Sequence, residues 1–271
     1  MSTILMTGAA GSVGTMLRSR LAKPDRILRL LDVTPMTAGE HEEVIQASVT
    51  DLAALTKACE QVDAVIHLGG LSGEAPWDQI AEVNINGTYA AFEAARRARV
   101  TRVIFASSNH AVGFTPASSF PVPDYAFPAP DTYYGVSKAS GEAIAALYHH
   151  RYHLDAICLR LLTCAQRPND VRGLSTWLSP DDAGRLFEAC LTAPAPGFRI
   201  AYGVSRNTRG GWVSLDEARA LGYEPLDDAE QFAAEITAQH GAADPADPAD
   251  PVLAHLGGEF CLPNLDAPVP S

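Results

Sequence analysis

Thr7-Gly8-Ala9-Ala10-Gly11-Ser12-Val13-Gly14 joins an apolar run, Thr3–Thr7, to an amphipathic one, Val13–Leu21. Strand, glycine turn and helix in that order let Gly8, Gly11 and Gly14 bend the chain tightly and bring its backbone to a pyrophosphate at the positive end of a helix. Ser12 and Val13 lie between those glycines and join the expected contacts. Asp32 ends the next apolar run, Arg26–Leu31, where a carboxylate can accept from both ribose hydroxyls and repel a 2′-phosphate. Val33 and Thr34 follow it where an NADP site needs Arg or Lys, so the expected cofactor is NAD.

Outward from this turn, short apolar runs alternate with longer amphipathic ones. Strands are expected at Ala64–Leu68, Val103–Ser107 and Ala156–Leu162, with another near Val44–Ala47. Helices are expected at Leu52–Cys59, Trp77–Ala98 and Thr132–Tyr152. That rhythm implies a Rossmann-type α/β fold, a doubly wound parallel sheet with helices on both faces. After Arg167 it breaks into a helix at Pro180–Leu191, a strand at Phe198–Gly203 and helices at Ser214–Leu221 and Asp228–His240. We expect a single domain over 1–271, with 1–167 mainly the NAD-binding core and 168–240 mainly a small substrate-binding cap beyond the strand ends. Residues 241–271 read as low-complexity linker and C-terminal tail, because the Ala-Asp-Pro repeats of Ala243–Pro251 lack apolar surface.

At 271 residues, 47% hydrophobic and 19% charged, the chain suits one large globular domain. A formal net charge of −12 without Lys/Arg clusters argues against nucleic acid as a partner. The same acidic field repels anionic substrates, so one of them would need a local cation, for which Arg172 is the candidate. The five cysteines are scattered and show no metal-ligand spacing, which implies reduced thiols and no metal. The first residues lead straight into a strand and no segment has the length of a membrane span, so a cytoplasmic protein with no membrane partner is expected.

Tyr134 and Lys138 are four residues apart, on one face of a helix, where the ammonium can stabilise the phenolate. By itself the spacing fits any amphipathic helix; combined with the glycine turn it reads as a proton-transfer pair. Ser107-Ser108-Asn109-His110 ends an expected strand, where side chains enter the cleft, and Ser108 is placed to hydrogen-bond the reacting oxygen. His110 reads as a substrate-binding residue, His67 as a satisfied core residue, and His41, His149, His150 and His153 as solvated.

These runs, with His67-Leu68-Gly69-Gly70 and Arg172-Gly173-Leu174-Ser175-Thr176-Trp177, resemble the extended short-chain dehydrogenase/reductases and, more narrowly, the bacterial uronate dehydrogenases. The resemblance implies NAD-dependent oxidation of D-glucuronate or D-galacturonate at C1 to the aldarolactone, in a homo-oligomer. It assigns proton removal to Tyr134, with Lys138 lowering the tyrosine pKa and holding the nicotinamide ribose, and Ser108 orienting the hydroxyl. Ser72, Asn109, His110 and Thr163 would read the sugar, and Arg172 would fork onto the carboxylate. Leu68, Gly69, Gly70, Asn84 and Cys164 would join the cofactor site, Asn84 by supporting the active-site strand. Two departures stand out. Leu162-Thr163-Cys164 adds bulk beside the sugar pocket, and Ser48-Val49 replaces the usual Asp-Leu pair at the adenine, altering one hydrogen bond. An epimerase or dehydratase that regenerates its NAD, and a non-catalytic NAD sensor, are the competing readings.

Overall fold

The computed structural model describes residues 1–241 and 250–262. Strand β1 (Ser2–Thr7) runs through the glycine turn into helix α1 (Ser12–Leu21). The chain continues through β2 (Arg26–Asp32), β3 (Glu42–Gln46), α2 (Leu52–Ala58) and β4 (Ala64–His67). Next come α3 (Trp77–Gln79), a π-helical stretch (Ile80–Asn86), α4 (Gly87–Arg97), β5 (Arg102–Ser108), α5 (Tyr133–Tyr152) and β6 (Asp155–Leu161). The sequence pattern anticipated each of these apart from the π stretch, which divides the single helix expected over Trp77–Ala98. A π turn shifts the helical register by about one residue and often marks a functional position; here Asn84 lies within it, buried.

The remaining elements are β7 (Thr163–Cys164), α6 (Gly173–Thr176), β8 (Trp177–Leu178), α7 (Pro180–Thr192), β9 (Phe198–Gly203), α8 (Asp216–Ala220) and α9 (Ala233–His240). Seven parallel strands form one sheet in the order β3-β2-β1-β4-β5-β6-β9. The stretch expected to be mainly cap therefore also supplies the core: α7 is the crossover helix and β9 the seventh strand. Ser179 caps α7 by accepting from the Asp182 amide at 2.8 Å, with Pro180 at its first turn. The short β7 and β8 form a separate two-stranded sheet.

Alternation along the strands buries both faces of the sheet. Ile4 and Met6 of β1 join the layer of α1 and α7 (Leu17, Leu21, Leu186, Phe187), while Leu5 joins the layer of α2, α4 and α5 (Leu55, Phe92, Tyr148). The chain order reverses between β1 and β4, where Thr7 pairs with His67, and ligands of such sheets bind beyond the carboxyl ends at that crevice. His67 is fully buried there between Thr7 Oγ1 (2.8 Å) and Thr88 Oγ1 (3.2 Å). Burial, aided by the Lys138 charge, holds its imidazole down at about 3, so it is a neutral core residue as expected.

The Ala-Asp-Pro repeats of Ala243–Pro251 lie outside the described residues except for Asp250 and Pro251. Of the stretch expected to be tail, 250–262 packs against the site: Leu253 and Leu256 are buried with Val112, Leu162, Tyr202 and Trp212.

Candidate active site

Two adjoining cavities open at the strand ends. One, of about 470 Å³, is lined by the glycine turn, Asp32, Ser48, Val49 and Leu68–Ser72; the other, of about 300 Å³, by Ser108, Asn109, His110, Tyr134, Lys138, Leu162 and Cys164. Ser12, Val13, Leu68, Gly70, Leu71 and Ser72 line both. A wider cleft of about 550 Å³ beside α1 and α7 lies elsewhere, and its cations are neutralised, Arg20 by Asp181 and Lys23 by Glu188.

The first cavity has the requirements of a dinucleotide. Gly8 has φ +68°, and a Cβ there would stand 2.6 Å from the Gly69 nitrogen. A Cβ at Gly14 would stand 2.6 Å from the Gly8 oxygen. Glycine alone lets β1, α1 and the β4 end approach this closely. Gly11 caps α1 with no side-chain hydrogen bond, so the first amides of the helix remain available to a phosphate. Asp32 accepts from the Ala10 amide (3.0 Å) and the Thr34 amide (2.9 Å), which fixes its carboxylate at the mouth of the turn. Ser48 pairs with Thr50 Oγ1 at 2.9 Å, and Val49 wedges against Gly69 and Gly87. Asn84 faces elsewhere: it accepts from the Leu71 amide (2.7 Å) and donates to the Leu71 carbonyl (3.0 Å) and Ser137 Oγ (3.1 Å). It lines neither cavity, and fixes Leu71 in the wall that both share.

In the second cavity Thr132 caps α5 through Gly135 at 3.0 Å and sets Tyr134 and Lys138 on the face toward β5. Burial pushes the Tyr134 phenol up to about 12, against the downward pull of the nearby Ser108 hydroxyl. Burial also brings Lys138 down to about 8; its Nζ donates to the Ala106 carbonyl at 2.8 Å and lies 5.3 Å from the Tyr134 ring centroid. Burial is the largest influence on the phenol. Cys164 lines the cavity as a thiol, raised by burial to about 12.

Arg172 stands behind the cavity wall, half-buried. Its Nη1 donates to Thr163 Oγ1 (3.3 Å) and its Nη2 to the Leu256 carbonyl (2.5 Å), while its buried Nε has no partner. Among the described residues it forms no salt bridge, and burial disfavours its charge. Asn109 Nδ2 donates to the same Leu256 carbonyl at 3.1 Å. Ser72 lies exposed at the lip between the cavities.

Several participants escape a linear reading. Glu74 accepts from the amides of Tyr133 (3.2 Å) and Tyr134 (2.9 Å). Asp131 receives His110 Nδ1 at 2.7 Å, and Phe260 lies 4.1 Å from the His110 ring, centroid to centroid. Arg160 and Glu142 form a buried bidentate pair (2.9 and 2.8 Å) whose carboxylate also accepts from Ser107 Oγ at 2.6 Å. All are joined through space, and no local spacing announces them. Among the described residues no group of His, Cys, Asp and Glu could hold a metal ion, and no helix is long and apolar enough to cross a membrane.

Fold and site together define an NAD-binding oxidoreductase of the Rossmann type. Residues 4–170 match the model of the NAD dependent epimerase/dehydratase family, and the chain belongs to that family. It is similar to a uronate dehydrogenase of Pseudomonas putida, at 42% identity over 96% of this chain and 95% of the relative. A uronate dehydrogenase of Agrobacterium fabrum is 40% identical, over 96% and 97%. Among solved structures, a mutant uronate dehydrogenase from Agrobacterium tumefaciens complexed with NAD superposes with a TM-score of 0.90 at 38% identity, covering 99% of this chain and 98% of that one.

Proposed function

We propose that the chain oxidises a hexuronate, D-glucuronate or D-galacturonate, at C1 to the aldarolactone, with NAD as acceptor. The observation that carries this reading is Arg172: a half-buried guanidinium with an unpartnered Nε and no carboxylate pair, donating to Thr163, whose neighbours Leu162 and Cys164 line the second cavity. Uncompensated buried charge is costly, so a ligand carboxylate is its natural counterion, and a guanidinium fork suits one. The likeness to uronate dehydrogenases supports the same reading.

Tyr134, as phenolate, takes the proton of the C1 hydroxyl while Ser108 holds that oxygen. NAD, when bound at the glycine turn, supplies the hydride acceptor and a cationic ring. Lys138 shares the cavity with Tyr134, opposes the desolvation that raises the phenol, and presents donors to the nicotinamide ribose. Ser72, Asn109, His110 and Thr163 read the sugar hydroxyls. The five cysteines are all free, which suits a reducing cytoplasm, and the working form is taken to be a homo-oligomer. NADH formation with glucuronate, galacturonate, glucose and galactose tests the proposal. The uronates should reduce NAD stoichiometrically; a product with no accumulating NADH would mark an epimerase instead.

A further inference from the structure

Asp131 lies in the loop before α5 with its side chain wholly buried, although it belongs to neither cavity wall. Three glycines make room for its carboxylate. A Cβ at Gly113 would stand 1.8 Å from Oδ2, one at Gly257 1.9 Å from it, and one at Gly135 3.0 Å from Oδ1. Within this cage the carboxylate receives His110 Nδ1 at 2.7 Å, Thr132 Oγ1 at 2.9 Å and the Cys261 thiol at 3.8 Å. His110 lines the second cavity, edge-on to Tyr134 with ring centroids 5.7 Å apart, and Phe260 covers its face. Among the described residues the other ring nitrogen, Nε2, has no protein partner.

The partner of one imidazole nitrogen decides what the other can do. A carboxylate only accepts, so the His110 hydrogen must sit on Nδ1 to use this contact, and a neutral ring then carries its lone pair on Nε2. We propose that Asp131 is a positioning residue for substrate recognition, holding His110 as the Nδ1–H tautomer so that Nε2 accepts from a hydroxyl of the bound sugar. This rests on the uronate reading for the identity of the sugar, but the state of the ring can be measured without substrate. In water a neutral imidazole carries its proton mainly on Nε2, which would turn Nε2 from acceptor to donor.

The test is the imidazole ¹⁵N spectrum of the full chain at pH 8, with His110 assigned by the signals lost in His110→Gln. Wild type should show a protonated Nδ1 and an unprotonated Nε2. Asp131→Ala should move the proton toward Nε2 and raise the uronate KM about tenfold with less change in kcat, the scale of one hydrogen bond. Asp131→Asn, once its amide turns the carbonyl oxygen toward His110 Nδ1, should restore much of both. Gly113→Ala, whose added Cβ has Asp131 atoms as its three nearest neighbours, should displace the carboxylate, reproduce Asp131→Ala and carry the comparison if that variant does not fold. A wild-type proton on Nε2, protons on both nitrogens, or a folded Asp131→Ala or Gly113→Ala with unchanged nitrogen signals would overturn the inference. If uronates are not oxidised at all, the function proposal fails while the ¹⁵N comparison still decides the role of Asp131.

Discussion

Lys138 Nζ lies 5.3 Å from the centre of the Tyr134 ring and is engaged by the Ala106 carbonyl at 2.8 Å, so one buried helix face holds a phenol and a cation side by side. Tyr134→Phe removes only the phenolic oxygen from this arrangement. Turnover should fall by at least a thousandfold while NAD affinity, measured by calorimetry, stays within about threefold. Turnover within tenfold of wild type would remove Tyr134 from the chemistry.

The pH profile should carry the same pair. The phenol stands at about 12 from burial, so the fraction of competent phenolate rises with pH and kcat/KM should climb through the neutral and mildly alkaline range. Lys138, at about 8 from burial, is charged below that value and opposes protonation of the phenol. In Lys138→Met the rising limb should move to higher pH by a unit or more. An unshifted limb would mean that Lys138 does not influence the tyrosine.

Asp32 lines the first cavity and fastens the glycine turn through the Ala10 and Thr34 amides. Asp32→Ala should therefore raise the KM for NAD and also narrow its kcat/KM advantage over NADP at least tenfold. If NADP is still rejected as strongly, the carboxylate does not set cofactor choice.

His67 makes an acid-stability prediction. Its folded value, about 3, is below its unfolded one near 6.5, so the unfolded chain binds the proton first. The stabilisation is complete above about pH 6.5 and is lost as pH falls toward 3, by up to about 1.4 kcal/mol per pH unit. Urea unfolding from pH 7 to 4 should show this slope, and His67→Gln should flatten it.

How far these features could be read in sequence depends on how local they are. Gly8, Asp32, Tyr134 and Lys138 announced themselves because a turn, a strand end and one helical turn are set by neighbours a few residues apart. The π stretch at Ile80–Asn86 was hidden because its apolar residues satisfy an ordinary helical period, and only packing around Asn84 reveals the inserted residue. The β9 strand was legible as a strand, but not its place beside β6, which depends on the α7 crossover. Asp131, Phe260 and Leu256 are out of reach altogether: Leu256 meets Arg172 across 84 residues and Asn109 across 147. The burial that raises the Tyr134 phenol was out of reach for a different reason, since spacing conveys proximity to Lys138 but not desolvation.

The central claim rests on Arg172 as the carboxylate clamp of an acidic protein. Steady-state kinetics of wild type and Arg172→Ala with glucuronate and with glucose compare the anionic sugar with a neutral one. A charge-assisted contact contributes about 2 to 3 kcal/mol, so the variant should lose roughly thirty- to over a hundredfold in kcat/KM for glucuronate, chiefly through KM. Glucose should be a poor substrate for both proteins and nearly indifferent to the change. Equal losses on the two sugars would contradict the account and make Arg172 a structural tie between Thr163 and Leu256.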